Sequence, residues 1–159
     1  MSKVYDETKF LMKKYGITAN KKLGQNFLID ENVIETIVDS SKISDDDLVI
    51  EIGPGLGTLT SKLLEKAGKV IAIELDERMI DILKDRFSMY NNFEIIKQDV
   101  LKVDLNTLIK ENKSRLNLKD TKIVANLPYY ITTPIIMKLL EEKLDIRKHH
   151  SYDTKRSSR

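Results

Sequence analysis

Short apolar segments alternate with helix-like segments from Leu48 to Glu142, and this alternation is the feature that most limits the fold. Four segments have the length and composition of buried strands, namely Leu48–Ile52, Val70–Glu74, Phe93–Lys97 and Lys122–Ala125. Each is followed by a segment with a helical pattern, namely Thr58–Lys66, Glu77–Phe87, Leu105–Glu111 and Pro134–Glu142. Strands and helices that alternate in this order predict an α/β fold, with a parallel sheet and flanking helices.

Composition narrows the class of protein further. The 159 residues include no cysteine and only two histidines, His149 and His150, so we expect no thiolate or histidine-rich metal site. No apolar run approaches the ~20 residues that a membrane-spanning helix needs, and the charged N-terminus lacks the apolar core of a signal peptide. We therefore expect a cytoplasmic protein with neither a metal nor a membrane partner.

The N-terminal segment is basic, although the whole chain has a net charge of only +2. Residues 1–25 contain six lysines and two acidic residues, Asp6 and Glu7. Such a cluster is either a solvated basic terminus or a surface that neutralises nucleic-acid phosphates. On charge alone the solvated terminus is the favoured interpretation.

A glycine-rich turn follows the first predicted strand, in the sequence VIEIGPGLGTLT from Val49 to Thr60. Glycines between a strand and a helix permit a tight turn and let a ligand approach the backbone closely. Gly53 and Gly55 are therefore candidate cofactor contacts. A purely structural turn or a dinucleotide-binding loop would also contain glycines, but the spacing G-x-G-x-G differs from the dinucleotide pattern G-x-G-x-x-G.

Acidic residues stand at the ends of the next two predicted strands. Glu74 ends the second strand, where a carboxylate accepts hydrogen bonds from both ribose hydroxyls of an adenosine, in NAD or in S-adenosylmethionine. Asp99 follows the third strand and can accept from the exocyclic amine of adenine, although a helix cap or turn residue looks the same in sequence. Together these positions predict an adenosine site at the carboxyl edge of the sheet.

The segment ANLPYYITTP, from Ala125 to Pro134, follows the fourth strand and suggests catalysis on an amine. The Asn126 side-chain oxygen and the Leu127 carbonyl are two acceptors for the hydrogens of an adenine amine. Pro128 restricts Leu127 to extended conformations, and Tyr129 offers a ring on which an extruded base can stack. Such a site works by positioning and oriented dipoles. The alternative is an Asn-Leu-Pro turn with a core tyrosine.

These motifs together resemble the ribosomal RNA adenine dimethyltransferase family. Five segments match in order and spacing: KKLGQNFLID, EIGPGLGTLT, AIELD, QDVLKVD and NLPYYITTP. The resemblance implies a Rossmann-like class I methyltransferase fold with S-adenosylmethionine as the cofactor. It implies that Asn26 and Leu28 close over this cofactor from the N-terminal side. It also implies cofactor contacts from four further residues, Gly53, Glu74, Asp99 and Asn126.

The loop NLPYYITTP is most similar to the small-subunit branch of that family. The resemblance implies dimethylation of the N6 amine of two adjacent adenines, in a hairpin loop near the 3′ end of small-subunit ribosomal RNA. The partner would be that RNA in an immature small ribosomal subunit, bound by a monomer. Three other functions stay open: a large-subunit adenine methyltransferase, a nicotinamide-dependent oxidoreductase, and a non-catalytic RNA-binding fragment.

The sequence divides into three parts. The resemblance implies that residues 1–47 form an N-terminal helical segment that closes over the cofactor, and that residues 48–146 form the S-adenosylmethionine-binding core. Residues 147–159, RKHHSYDTKRSSR, depart from the family, and we expect them to be disordered. We thus expect an incomplete sheet of the first four strands only, with an open edge at Lys122–Ala125 and weak or absent methyl transfer.

The polar tail has a second interpretation at the level of the encoding DNA. With A/T-rich codons for Lys148 onward, a start one nucleotide later translates as NIIVMIQKEVA. This resembles the family segment MVLMVQKEVA that belongs at this point. We infer a change of reading frame near Arg147, which the DNA sequence through and past that codon would test.

Overall fold

The computed structural model of the chain describes residues 3–18, 31–127 and 148–153. Its helices are α1 (Lys3–Tyr15), α2 (Glu31–Ser41), α3 (Thr58–Lys66), α4 (Glu77–Arg86) and α5 (Leu105–Leu116), with a short 3-10 helix at Val100–Lys102. Its strands are β1 (Asp47–Ile52), β2 (Lys69–Glu74), β3 (Phe93–Lys97), β4 (Asp120–Leu127) and β5 (Lys148–Asp153). None of the helices in these ranges is long and apolar enough to cross a membrane.

The strands form a single sheet in the order β3-β2-β1-β4-β5. Every neighbouring pair is parallel. The chain therefore moves outward from β1 to β3 and then crosses to the other side of β1, as in the doubly wound folds that bind nucleotides. The predicted α/β class, a parallel sheet with flanking helices, is confirmed.

The number of strands differs from the expectation. The sequence predicts four strands and a disordered tail, but residues 148–153 form β5, which pairs with β4 from Lys122 opposite Lys148 to Leu127 opposite Asp153. The expected open edge at Lys122–Ala125 and the expected disorder of residues 148–153 are therefore wrong. Ladder hydrogen bonds use backbone groups, which a polar segment also has, so the composition of KHHSYD conceals its pairing. The predicted helix Pro134–Glu142 lies outside the described residues.

Alternation along the strands divides the core between the two faces of the sheet. Leu48, Ile50 and Ile52 of β1 are buried on one face, in a cluster that includes Leu105 and Ile109 of α5. Val49 lies on the other face, in a cluster that draws its remaining members from β2, β4, α1, α2, α3 and the α4 region. Because both faces of the sheet are covered at its centre, β1 and β2 are mostly apolar.

A buried ion pair joins β1 and β4 near their amino ends. Lys122 Nζ lies 2.7 Å from Asp47 Oδ2, and both side chains are almost fully buried. The same ammonium donates to the carbonyl of Lys42. Removal of one member of such a pair leaves an uncompensated buried charge, so the pair helps to specify how β4 aligns with β1.

Candidate cofactor-binding site

The parallel register brings the carboxyl ends of the central strands to one level. Ile52 of β1 pairs with Ile73 on one side and with Ala125 on the other. The next residue along each strand is a predicted site residue, and these are Gly53, Glu74 and Asn126. Neighbouring strands lie about 4.8 Å apart, so Glu74 and Asn126 stand about 10 Å apart on either side of β1. A ligand that reaches both must lie across the end of β1.

The glycine loop between β1 and α3 depends on backbone conformations that favour glycine. Gly53, Gly55 and Gly57 have φ angles of 66°, 58° and 87°. The Gly53 amide donates to the Ile73 carbonyl at 3.0 Å, which ties the loop to β2. At Gly57 there is also no space for a side chain, since an added Cβ would lie 2.7 Å from the ring of Phe87. The glycine pattern in the sequence thus reflects both strain and close packing.

The loop leads into the amino end of α3. Gly57 is the N-cap, and no side chain among the described residues caps the helix. The first amides of a helix lack intrahelical partners and carry its positive dipole end. This end of α3 is therefore suited to an anionic group of a ligand that lies on the loop.

Leu56 fastens the middle of the loop to the N-terminal helix. Its side chain is buried in a cluster with Leu11 of α1 and Met79 of α4. Its carbonyl accepts a hydrogen bond from Arg86 Nη1. The other end of the same guanidinium contacts Glu7 of α1, with Nη2 2.6 Å from Oε1. Arg86 therefore joins α1 to the glycine loop through one rigid, planar group.

Glu74 is held in place by backbone amides. Its Oε2 accepts from the amides of Leu75 and Asp76 at 2.8 and 3.0 Å. Its Oε1 accepts from the Gly55 amide at a longer distance of 3.3 Å. Partial burial raises the pKa of the Glu74 carboxyl above its ordinary value, and the three amide hydrogen bonds oppose that shift. The carboxylate is thus fixed at the end of β2, with Oε1 the less engaged oxygen.

Asp99 caps a helix, which was the alternative to a ligand contact in the sequence analysis. It is the N-cap of the 3-10 helix, and its Oδ1 accepts from the Leu101 amide at 3.0 Å. Lys97, two residues before it, pairs with Glu74 in the sheet, so Asp99 lies just beyond the same edge. A carboxylate has a second oxygen, so capping does not prevent Asp99 from accepting a ligand amine.

Two leucines at this edge are functional candidates that the sequence did not single out. Leu75 directly follows Glu74 and is 58% exposed, while Leu101 belongs to the 3-10 helix that Asp99 caps and is 43% exposed. Exposed leucines beside the two acidic residues offer apolar surface to a flat ring. The sequence places an apolar residue shortly after each acidic residue, which could have indicated these two candidates. However, the sequence does not show whether a leucine is exposed or buried.

Glu51 is a buried carboxyl below the glycine loop. It lies on β1 with only 2% of its surface exposed, and the Thr60 hydroxyl of α3 donates to its Oε1. Burial, and to a smaller extent the charge of Glu74, raise the pKa of Glu51 to about 8, against the opposing effect of the Thr60 hydrogen bond. Glu51 is therefore neutral at pH 7 and links β1 to α3 without adding a second negative charge near Glu74.

The remaining predicted site residues are placed only in part. The backbone of Asn126 and Leu127 forms the last two positions of β4, level with the end of β1. Asn26, Leu28, Pro128 and Tyr129 lie outside the described residues. In the part of the chain that the structure describes, no group of three or more acidic or histidine side chains could hold a metal ion.

Comparison with known proteins identifies the family. The family model described as ribosomal RNA adenine dimethylase matches residues 16–152. The chain belongs to this family. The resemblance drawn from the five motifs is therefore confirmed, and the match ends within β5, inside the stretch that the sequence had set apart from the family.

Curated members of the family are similar along most of this chain. The ribosomal RNA small subunit methyltransferase A of Alkaliphilus metalliredigens is 54% identical over 140 residues, which are 88% of this chain and 48% of that protein. The protein of the same name from Bacillus pumilus is also 54% identical over 140 residues, which are 47% of its length. The chain thus spans about half the length of the curated relatives it matches.

Solved structures share the fold. A dimethyladenosine transferase from Plasmodium falciparum matches 78% of this chain and 42% of its own, with a TM-score of 0.64 and 34% identity. The 23S rRNA methyltransferase ErmE matches 79% of this chain and 47% of its own, with a TM-score of 0.66 and 28% identity. An RNA methyltransferase from Salinibacter ruber, solved with S-adenosyl-L-homocysteine, shares the fold alone, at a TM-score of 0.59 and 13% identity.

The buried carboxyl of Glu51 predicts a pH-dependent effect of Glu51→Gln. The folded-state pKa of about 8 exceeds the ordinary value of 4.5, so between these values only the unfolded chain loses the proton. The free energy of unfolding therefore falls as pH rises from 4.5 to 8, by up to ~1.4 kcal/mol per pH unit. We expect Glu51→Gln to match the parent near pH 4.5 and to be the more stable protein, by at least about 1 kcal/mol, at pH 8.

Urea unfolding of both proteins at several pH values measures this difference, with the exposed Glu65→Gln as the comparison for loss of a surface carboxylate. A constant difference between Glu51→Gln and the parent from pH 4.5 to pH 8 would show that Glu51 is ionised in the folded protein.

Proposed function

We propose that this chain forms the S-adenosylmethionine-binding part of an enzyme that dimethylates two adjacent adenines at N6. The target is a hairpin loop near the 3′ end of small-subunit ribosomal RNA, in the cytoplasm. Support comes from membership of the ribosomal RNA adenine dimethylase family and from 54% identity to proteins named as small-subunit methyltransferases. A large-subunit target has weaker support, because ErmE is only 28% identical.

The arrangement of Glu74 is the observation that carries the proposal. A ribose diol presents two O–H donors, so the group that holds it must be a fixed acceptor. The amides of Leu75 and Asp76 fix Oε2, while Oε1 accepts, among the described residues, from the Gly55 amide at the longer distance of 3.3 Å. Glu74 therefore has acceptor capacity left for the diol, at the end of β2 and beside the glycine loop.

Other residues around this edge suit the rest of an adenosyl cofactor. Leu75 and Leu101 would flank the adenine ring, and Asp99 would accept from its exocyclic amine. The amino end of α3, which no side chain of the described residues caps, would receive the carboxylate of the methionine part. The cofactor supplies a methyl group on a sulfonium, which is an activated donor. These residues hold it and orient it across the end of β1.

Residues at the end of β4 would bind and activate the second substrate, the adenine amine. Its nitrogen is a poor nucleophile because the lone pair is delocalised into the ring. We assign the Asn126 side-chain oxygen and the Leu127 carbonyl as acceptors for its two hydrogens, which would favour a tetrahedral, nucleophilic nitrogen. Pro128 would restrict Leu127, and Tyr129 would stack against the extruded base. The gain in rate would come from orientation and fixed dipoles.

The cofactor role of Glu74 predicts a specific loss of affinity in Glu74→Gln. We expect S-adenosylmethionine to bind more weakly by roughly 1–3 kcal/mol, because a charge-assisted hydrogen bond to the ribose is lost. Calorimetric titration of the parent and the variant measures this. Glu94→Gln is the matched control, since Glu94 pairs with Lys69 near the amino end of the sheet. Equal affinity of Glu74→Gln and the parent would show that another group holds the diol.

The catalytic role of Asn126 predicts that Asn126→Ala loses methyl transfer but keeps most of its cofactor affinity. A suitable protein is a chimaera in which residues 1–146 precede the second half of the Alkaliphilus metalliredigens relative. On under-methylated small subunits we expect a loss of roughly 100-fold or more, as for removal of one oriented hydrogen bond from a reaction centre. Asn91→Ala, in an exposed turn, serves as the control.

Two results would contradict this assignment. Near-normal turnover by Asn126→Ala would remove Asn126 from the reaction. A parent chimaera that binds S-adenosylmethionine but transfers no methyl group to the subunits would contradict the proposed substrate.

A further inference from the structure

The outward face of α1 combines positive charge with an exposed aromatic ring. Val4, Thr8 and Leu11 form the buried side of this helix. The exposed side carries four lysines, one acidic residue and one phenylalanine, namely Lys3, Lys9, Lys13, Lys14, Asp6 and Phe10. Residues three and four apart share a helix face, so Phe10 lies in the middle of these charged side chains. We call these six residues the basic face of α1.

Phe10 is a large apolar side chain that lies mostly in solvent. Its side chain is 63% exposed, whereas Val4, Thr8 and Leu11 form the buried side of α1. A single exposed apolar residue is common on protein surfaces, so Phe10 becomes informative only together with the lysines beside it. The ring is thus free on one side to stack against a flat group.

The acidic residues of α1 do not balance the positive charge of the lysines around Phe10. Glu7, the other acidic residue of α1, is paired with Arg86 of α4, so it does not neutralise them. Lys9 and Lys14 lie 5.6 and 5.2 Å from the ring centres of Tyr5 and Tyr15, which are contacts with rings and not with acidic groups. Four lysines against Asp6 leave an excess of three positive charges on the basic face.

The same helix is firmly attached to the glycine loop. Leu11 packs in one cluster with Leu56, and Arg86 contacts both Glu7 and the Leu56 carbonyl. A polyanion on the basic face would therefore be held against a helix that also supports the cofactor loop. Lysines beside an exposed aromatic ring are the combination with which proteins bind unpaired nucleic-acid strands.

We propose that the basic face of α1 binds unpaired RNA next to the cofactor loop. Lys9, Lys13 and Lys14 neutralise phosphates, and Phe10 stacks on a base. The proposal rests on the proposed function, since it names where this domain itself holds the RNA substrate. RNA is favoured over an acidic protein because both parts of the face, the charges and the single flat ring, match the repeat of phosphate and base.

The test measures affinity of the whole chain for two probes, a synthetic RNA hairpin with two adjacent adenines in its loop and a fully paired RNA duplex. Lys9→Gln, Lys13→Gln and Lys14→Gln together should lower the slope of log affinity against log salt by about 2 for the hairpin loop. Phe10→Ala should weaken hairpin binding by roughly 5- to 100-fold, and duplex binding much less. Phe10→Trp should restore binding, because it keeps a stacking surface.

Matched variants distinguish RNA binding by the basic face of α1 from a general effect of positive charge. Lys62→Gln, Lys66→Gln and Lys110→Gln together remove three exposed lysines from α3 and α5, and should leave the slope nearly unchanged. Phe10→Leu keeps an apolar side chain without the ring and should bind like Phe10→Ala. Full binding of the hairpin by Phe10→Leu would show that no ring stacks on a base here, and would overturn the proposal. No RNA binding by the parent, or equal slopes in the two lysine variants, would overturn it as well.

A titration with S-adenosylmethionine on the same proteins separates the two proposals. The variants of α1 should keep the parent affinity for the cofactor. Loss of RNA binding with intact cofactor binding supports the basic face. Absence of cofactor binding in the parent would count against the proposed function and leave the RNA result to be judged by its own controls.

Discussion

Parallel pairing of β1 with both β2 and β4 is the constraint on which the site depends. Three chain segments from distant parts of the sequence end at one edge only because Ile52 is level with Ile73 and with Ala125. A shift of one residue in either pairing would move Glu74 or Asn126 away from the glycine loop and turn apolar side chains to the wrong face. Buried apolar residues on both faces of the sheet oppose such a shift, so core packing also aligns the site.

The polar groups near this edge are held by the fold itself. Backbone amides orient Glu74, Thr60 satisfies the neutral carboxyl of Glu51, and Arg86 connects the carbonyl of Leu56 to α1. Each contact joins the glycine loop or its supporting strands to a different element. A site fixed in this way loses little conformational entropy when a ligand binds, which favours affinity. Through Arg86 and Leu56, the N-terminal helix is in contact with the loop that follows β1.

Much of this organisation was predictable from local sequence, and the rest depended on distant contacts. Strand-length apolar runs predicted the parallel sheet, and glycines and Glu74 at strand ends predicted where the site lies. The pairing of β5 was missed because hydrogen bonding of the backbone overrides a polar composition. The contact of Arg86 with Glu7 joins residues 79 positions apart, and the exposure of Leu75 depends on the packing around it. Neither feature can be predicted from a local sequence pattern.

The proposed function depends on the binding of an adenosyl cofactor of the methyltransferase kind at the carboxyl edge of β1 and β2. Titration of the isotope-labelled chain with S-adenosylhomocysteine, followed by amide NMR, tests it directly. We expect saturable shifts of the amide signals of Gly53, Gly55, Leu75 and Leu101, and no comparable shifts with NADH. Shifts with NADH at these amides, or shifts with S-adenosylhomocysteine confined to other parts of the chain, would contradict it.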